Sequence, residues 1–177
     1  MKKLLAFLLL WPSFLVAQSF DHTLYVDLSV DPNKAFLLVD NPRTEVDHRG
    51  VDFDLEMGVQ TDNFGAYLFY GRFEAADYQN YGIGADYYFL KRQRLDLTAG
   101  VGLSRILRRV PTGAFYERTA WADVGGFASY HIRSVAVWWP LEQWGLSGRL
   151  QYQRRGDIEA NGIFEGALGI RFKWDRR

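Results

Sequence analysis

The chain has 177 residues with 21 basic and 21 acidic side chains, no cysteine and an aromatic content of 16%. That length fits a single domain, and the balanced charge gives no electrostatic case for nucleic acid. Without cysteine, neither disulfides nor thiolate metal sites are available.

Met1 to Ala17 reads as a cleaved secretory signal peptide. Lys2 and Lys3 precede an apolar run from Leu4 to Val16, and the small Ala17 offers a cleavage point. As a membrane anchor the run is short and is interrupted by Pro12. The expected mature domain is 18–177, where 19 basic residues face 21 acidic ones for a net charge of −2. After the leader, no apolar run approaches the roughly 20 residues of a membrane helix. The mean hydropathy of −0.20 is nevertheless compatible with a membrane barrel, because half of a barrel's side chains face inward.

The remainder divides into about eight segments with the two-residue period of a strand. In Thr23 to Val30, Leu24, Val26, Leu28 and Val30 oppose Tyr25, Asp27 and Ser29. Gly50 to Gln60 alternates most cleanly, with Val51, Phe53, Leu55, Met57 and Val59 against Asp52, Asp54, Glu56, Gly58 and Gln60. Phe64 to Phe73 has aromatics on both faces, and Phe64, Ala66, Leu68 and Tyr70 are assigned outward. Asn80 to Phe89 sets Tyr81, Ile83, Ala85, Tyr87 and Phe89 against Asn80, Asp86 and Tyr88.

Arg94 to Ile106 sets Leu95, Leu97, Ala99, Val101 and Leu103 against Asp96, Thr98 and Ser104. The sixth segment, Arg118 to His131, is weaker; Ala120, Ala122, Val124, Ala128 and Tyr130 are placed outward. Trp144 to Arg154 opposes Trp144, Leu146, Leu150 and Tyr152 to Ser147, Arg149, Gln151 and Gln153. The last segment, Gly162 to Trp174, places Phe164, Leu168, Ile170, Phe172 and Trp174 opposite Glu165, Ala167, Gly169, Arg171 and Lys173.

Connections alternate in length, as expected of short periplasmic turns and longer extracellular loops. Thr61 to Asn63 and Lys91 to Gln93 are short. Asp31 to Arg49, Arg108 to Tyr116 and Arg155 to Asn161 are longer, and Ala75 to Tyr78 is a short loop on their side. Ile132 to Gln143 is long for a periplasmic turn; it reads as a strand extension with Trp138 and Trp139 as interfacial anchors. A docking surface for a periplasmic partner is its alternative. Asp31 as N-cap and Pro32 at the first helical position predict a short helix in the first loop, against a strand fragment.

The fold class expected is all-β: a closed, antiparallel, up-and-down transmembrane β-barrel of about eight strands. The polar face is rich in Gly, Ser, Thr, Asp and Asn, which suits a narrow lumen better than the outer wall of a soluble barrel. Closure is required because an open edge in lipid leaves amides unpaired at several kcal/mol each. The expected lumen network comprises Asp27, Asp52, Asp54, Glu56, Asp86, Asp96, Arg149, Glu165, Arg171 and Lys173, paired because buried charges demand partners. A barrel of this size has room for side chains or one small ligand.

The leader, the alternating segments and the aromatic final strand together resemble the small outer-membrane barrels of the OmpX and OmpA transmembrane-domain type, within the porin-like superfamily. The resemblance implies residence in the bacterial outer membrane and recognition by the barrel-assembly machinery. Gly169, Phe172 and Trp174 match the final parts of the terminal assembly motif. Ala167 departs from it at the polar position, and Asp175, Arg176 and Arg177 run past its end.

Some small outer-membrane barrels modify lipids or cleave peptides. Ser129-Tyr130-His131 reverses the His-x-Ser order of a lipid A deacylase and is placed at the periplasmic end. His48 near Asp52 and Asp54 reads as a solvated rim. The chain is therefore expected to be a non-enzymatic structural or interaction protein, or a subunit of a larger outer-membrane complex; a narrow channel is the alternative. No cofactor, catalytic residue or metal ligand is assigned. Arg108, Arg109, Arg154 and Arg155 are candidate contacts to lipopolysaccharide phosphates, since guanidinium pairs well with phosphate. Expected partners are outer-membrane lipid, lipopolysaccharide, the assembly machinery and another outer-membrane or periplasmic protein.

Overall fold

The computed structural model describes residues 22–31, 36–38, 52–73, 78–112, 118–154 and 162–175. Nine strands follow in chain order: β1 (Thr23–Asp31), β2 (Phe36–Leu38), β3 (Asp52–Gln60), β4 (Phe64–Phe73), β5 (Tyr78–Arg92), β6 (Leu95–Thr112), β7 (Arg118–Trp138), β8 (Trp144–Arg154) and β9 (Gly162–Asp175). Each pairs antiparallel with its neighbour, and β1 also pairs with β9 from Thr23↔Asp175 to Val30↔Leu168. The sheet therefore closes, and no strand edge is left to face lipid.

The nine strands form an eight-stranded barrel because β2 prolongs β1. Phe36, Leu37 and Leu38 pair with Phe164, Ile163 and Gly162 further along β9. From Val30 to Phe36 the chain advances six positions while β9 advances four, from Leu168 to Phe164. Phe36–Leu38 thus lies further along the same edge of β9 that β1 pairs. This corrects the helix expected after Asp31: Phe36–Leu38 is a strand, since pairing with β9 satisfies its backbone.

Exposure follows the two-residue period. The apolar set Leu28, Met57, Leu68, Ile83, Leu103, Ile132, Leu150 and Leu168 is between 48% and 62% exposed, whereas Asp27, Glu56, Asp86 and Arg171 are 5% exposed or less. The ambiguity of β4 resolves with Phe64 and Leu68 outside and Tyr67 and Phe69 inside. Aromatics border the apolar band at both ends. Eight residues separate Tyr81 from Phe89, Tyr130 from Trp138 and Trp144 from Tyr152. At about 3.3 Å per residue and a tilt of about 40°, the girdles stand about 20 Å apart, near the ~25 Å band of outer-membrane barrels.

The short connections lie at one end, with β1's start and β9's finish. At Thr61–Asn63, the Thr61 amide donates to Phe64 O at 2.8 Å and the Tyr88 amide donates to Asn63 O at 2.8 Å. Lys91 Nζ reaches from the next hairpin to Asp62 O at 3.3 Å.

Two boundaries differ from the sequence reading, and one expected extension is present. β5 continues through Lys91 and Arg92, with a bulge between Tyr88 and Leu90, so the turn is Gln93–Arg94. β6 and β7 extend as a hairpin from Arg108↔Ala122 to Thr112↔Arg118, where a loop was expected. β7 runs 21 residues to Trp138, so the strand extension expected within Ile132 to Gln143 is present and only Trp139–Gln143 is connection. Pairing with β6 and β8 on both flanks supplies the backbone partners that keep β7 extended there. Trp138 faces outward, but Trp139 is buried with Val135 and Val137, which corrects its reading as an interfacial anchor.

Candidate functional site

The interior is built from large side chains lying over glycines of the neighbouring strand. Tyr25 pairs with Gly58, Tyr67 with Gly84 and His131 with Gly102. A β-carbon at Gly84 or Gly102 would collide with the Tyr67 ring or the His131 imidazole. Such large-and-small alternation is how a small barrel fills its lumen without bursting the wall.

Across the middle lies a charged cluster. Glu56 on β3 is its hub, receiving Arg133 of β7 through both terminal nitrogens, Arg171 of β9 at 3.3 Å and the Tyr25 hydroxyl at 2.8 Å. Arg133 also forks onto Asp86, donating from Nε at 2.9 Å and from Nη2 at 2.6 Å. Arg171 Nε donates to Asp27 Oδ2 at 2.8 Å. Both guanidiniums are stacked as well: Arg133 lies 3.4 Å from the Tyr67 ring centre and Arg171 lies 4.2 Å from that of Tyr25. Planar forks matched to carboxylates and faced by rings are the geometry that makes arginine the preferred buried cation.

Other tiers flank this cluster. Arg149 pairs with Asp54, and Gln151 Nε2 donates to Glu165 at 3.1 Å. Towards the loop end, Gln153 Nε2 donates to Ser129 Oγ at 2.7 Å and to Ser104 Oγ at 3.2 Å, while Tyr67 Oη is 2.8 Å from His131 Nε2. At the turn end Val135, Val137 and Trp139 form an apolar stopper. Trp139 Nε1 donates to Asp96 at 2.8 Å, and Lys173 Nζ sits 4.1 Å from the Trp139 ring centre.

Of the sequence-assigned lumen residues, Asp27, Asp54, Glu56, Asp86, Arg149 and Arg171 enter these ion pairs, and Glu165 bonds to Gln151. Asp96 and Lys173 sit apart, with Trp139 at the turn-end mouth. The Asp52 side chain lies outside the described residues. Arg133, the central cation, was missed because the alternation of faces was not carried past His131 into the expected strand extension. Continuing the alternation past His131 puts Arg133, Val135 and Val137 inward and was the available signal.

Ser129 and His131 require a correction. Because β7 continues to Trp138, both face the lumen, 0% and 1% exposed, seven or more residues short of the strand's turn end instead of at it. They are not a nucleophile–base pair: Ser129 Oγ donates to Arg154 O at 2.9 Å, and the imidazole engages Tyr67. Among the described residues no group of three His, Asp or Glu side chains could hold a metal. His48, Arg155 and the side chains of Arg108 and Arg109 lie outside the described residues. Arg154 is exposed on the outer face, its Nη1 donating to Tyr130 Oη at 3.4 Å. Gly169 faces inward, and a β-carbon there would stand 2.7 Å from Ser147 Oγ. Phe172 and Trp174 face outward in an aromatic run with Trp144, with ring centres 4.8 and 5.2 Å apart.

A closed eight-stranded barrel, apolar outside and filled with ion pairs inside, defines the class of small outer-membrane β-barrels. Solved members of that class share this fold. The N-terminal β-barrel domain of Pseudomonas aeruginosa OprF matches with a TM-score of 0.63 at 13% identity, over 88% of this chain and 100% of that one. Neisserial surface protein A matches at 0.61 and 16%, over 86% and 97%. Ail, the attachment invasion locus protein of Yersinia pestis, matches at 0.58 and 11%, over 89% and 100%, and was also solved with the heparin analogue sucrose octasulfate. At such identities the likeness is one of fold. No protein-family model and no curated protein matches the sequence.

Proposed function

We propose that this is an integral protein of the bacterial outer membrane with a plugged lumen, and that its role in the envelope is structural or adhesive, not transport or catalysis. The observation carrying this reading is the Arg133–Glu56–Arg171 cluster, which crosses the barrel at mid-height and is braced by Asp86, Asp27 and stacked tyrosines. An ion crossing it must break buried, charge-assisted bonds on several strands at once. The separate engagement of Ser129 and His131 supports the non-enzymatic half.

In this reading residues 1–17 are a cleaved export signal, 18–177 form the barrel, and the loop end faces outward. Gly169, Phe172 and Trp174 are offered to the assembly machinery during insertion. Arg108, Arg109, Arg154 and Arg155 are offered as contacts to lipopolysaccharide phosphates. The polysulfated ligand of Ail makes polyanion binding at that end a reasonable extension to this chain.

Two measurements test the proposal. Fractionation of expressing cells should recover the mature chain in the outer membrane, shortened by the leader. In planar bilayers the purified barrel should give no unitary current steps. Reproducible steps would replace the plug with a narrow channel.

A further inference from the structure

The lipid-facing wall holds a feature that filling the lumen does not explain. A groove of about 680 Å³ runs across it, with Ala85, Ala99 and Ser134 as its floor and Ile132 and Tyr152 among its walls. The groove is open along the wall. Its lining is almost wholly apolar, and Ser134 Oγ, which donates to Thr98 O at 3.1 Å, keeps its hydrogen-bonding group turned to the wall. Phe64 at one end of the groove opens β4 beside the turn end, whereas Phe164 at the other lies near the loop end of β9. The groove therefore climbs obliquely through the apolar band, as an extended hydrocarbon chain would.

Polar groups stand above its walls. Two residues beyond Ile132 on β7 is Tyr130, and two beyond Tyr152 on β8 is Arg154, bonded to the Tyr130 hydroxyl. Four residues beyond Val101, another groove residue, is Arg105 on β6. Arg105, Tyr130 and Arg154 are all exposed and outward. The two arginines stand on the strands either side of Tyr130's, about two strand spacings or roughly 10 Å apart. They sit at the aromatic girdle, where headgroups replace hydrocarbon.

We infer that this face is a binding site for lipopolysaccharide, with an acyl chain in the Ala85–Ala99–Ser134 groove and headgroup phosphates on Arg105 and Arg154. The inference rests on the outer-membrane reading above, which puts the loop end in the leaflet that carries lipopolysaccharide. Two separated guanidiniums suit a glycolipid bearing two phosphates better than a phospholipid bearing one. Guanidinium–phosphate pairing is charge-assisted and directional, and the groove supplies apolar contact that lipid packed on a smooth wall lacks.

The test measures lipopolysaccharide retained per barrel after mild detergent extraction of outer membranes. Wild type is compared with the pairs R105Q/R154Q and A85L/A99L, and with R92Q/R94Q at the opposite end as a charge control. The site requires at least fivefold loss in the first two pairs and none in the control. Independently, delipidated wild type is placed in phosphatidylcholine vesicles doped with lipopolysaccharide or with phosphatidylglycerol. Lipopolysaccharide should raise its thermal midpoint by several degrees more than phosphatidylglycerol. Equal retention in all variants, or equal shifts from the two lipids, overturns the site. Failure of wild type to reach the outer membrane overturns the location instead.

Discussion

Arg133 lies flat against Tyr67, with its guanidinium carbon 3.4 Å from the ring centre, while its nitrogens grip Glu56 and Asp86 on two other strands. One side chain from β7 thereby fastens β3, β4 and β5 across the lumen. The wall is held by backbone pairing and the interior by this tie.

Removing the tie should be costly. Arg133→Met leaves Glu56 and Asp86 short of a cation in a site almost without water, and breaking a buried pair costs about 3–5 kcal/mol. Urea unfolding in micelles, followed by tryptophan fluorescence, should show that loss. Adding Asp86→Asn should return part of it, because the orphaned charge is then gone. Strict additivity of the two changes would contradict a direct coupling.

The space over Gly84 is committed to Tyr67. Gly84→Val puts a branched side chain where the Tyr67 ring and hydroxyl lie, and overpacking of this kind costs about 1–3 kcal/mol. Tyr67→Leu in the same chain should relieve the clash and narrow the deficit. A Gly84→Val barrel as stable as wild type would show that the ring has another place to go.

At the turn-end mouth, Trp139→Phe keeps the apolar stopper but deletes the donor to Asp96. Stability should fall by about 1–3 kcal/mol, the cost of leaving a buried acceptor unmet. Trp138→Phe, on the exposed face, should cost far less. Equal effects of the two in the same unfolding assay would refute the assignment of Trp139 to the lumen.

The final strand serves assembly as well as closure. Phe172→Ala with Trp174→Ala removes two outward rings of the Trp144–Phe172–Trp174 run but leaves the inward Arg171 untouched. Outer-membrane insertion in cells should slow several-fold, read as accumulation of protease-sensitive chain. Unaided refolding into detergent should change much less. A parallel loss in both assays would assign these rings to barrel stability and not to recognition.

Much of the wall was legible because one rule governs it. In Phe53 to Gln60 or Phe164 to Trp174 the alternation of residue type is the alternation of faces, and local sequence suffices. Phe64 to Phe73 strained that rule, since Tyr67 and Phe69 are as apolar as their outward neighbours. Gly84, opposite Tyr67 on β5, makes the room that the inward Tyr67 ring takes. At Ile132 to Trp138 a strand extension was legible, but which of its side chains turn inward was not assigned, because how far β6 and β8 run alongside is not a local property.

The sequence by itself determined the class of fold and the facing of most strands. These follow from local periodicity and from the physical need to close a sheet in lipid. Only the tertiary structure decided which charges meet. Glu56 and Arg133 are 77 residues apart and Asp27 and Arg171 are 144 apart, and their pairing depends on strand register and stagger around the closed barrel. Periodicity says which face a side chain takes; the height at which it meets its partner is set by the whole ring of strands.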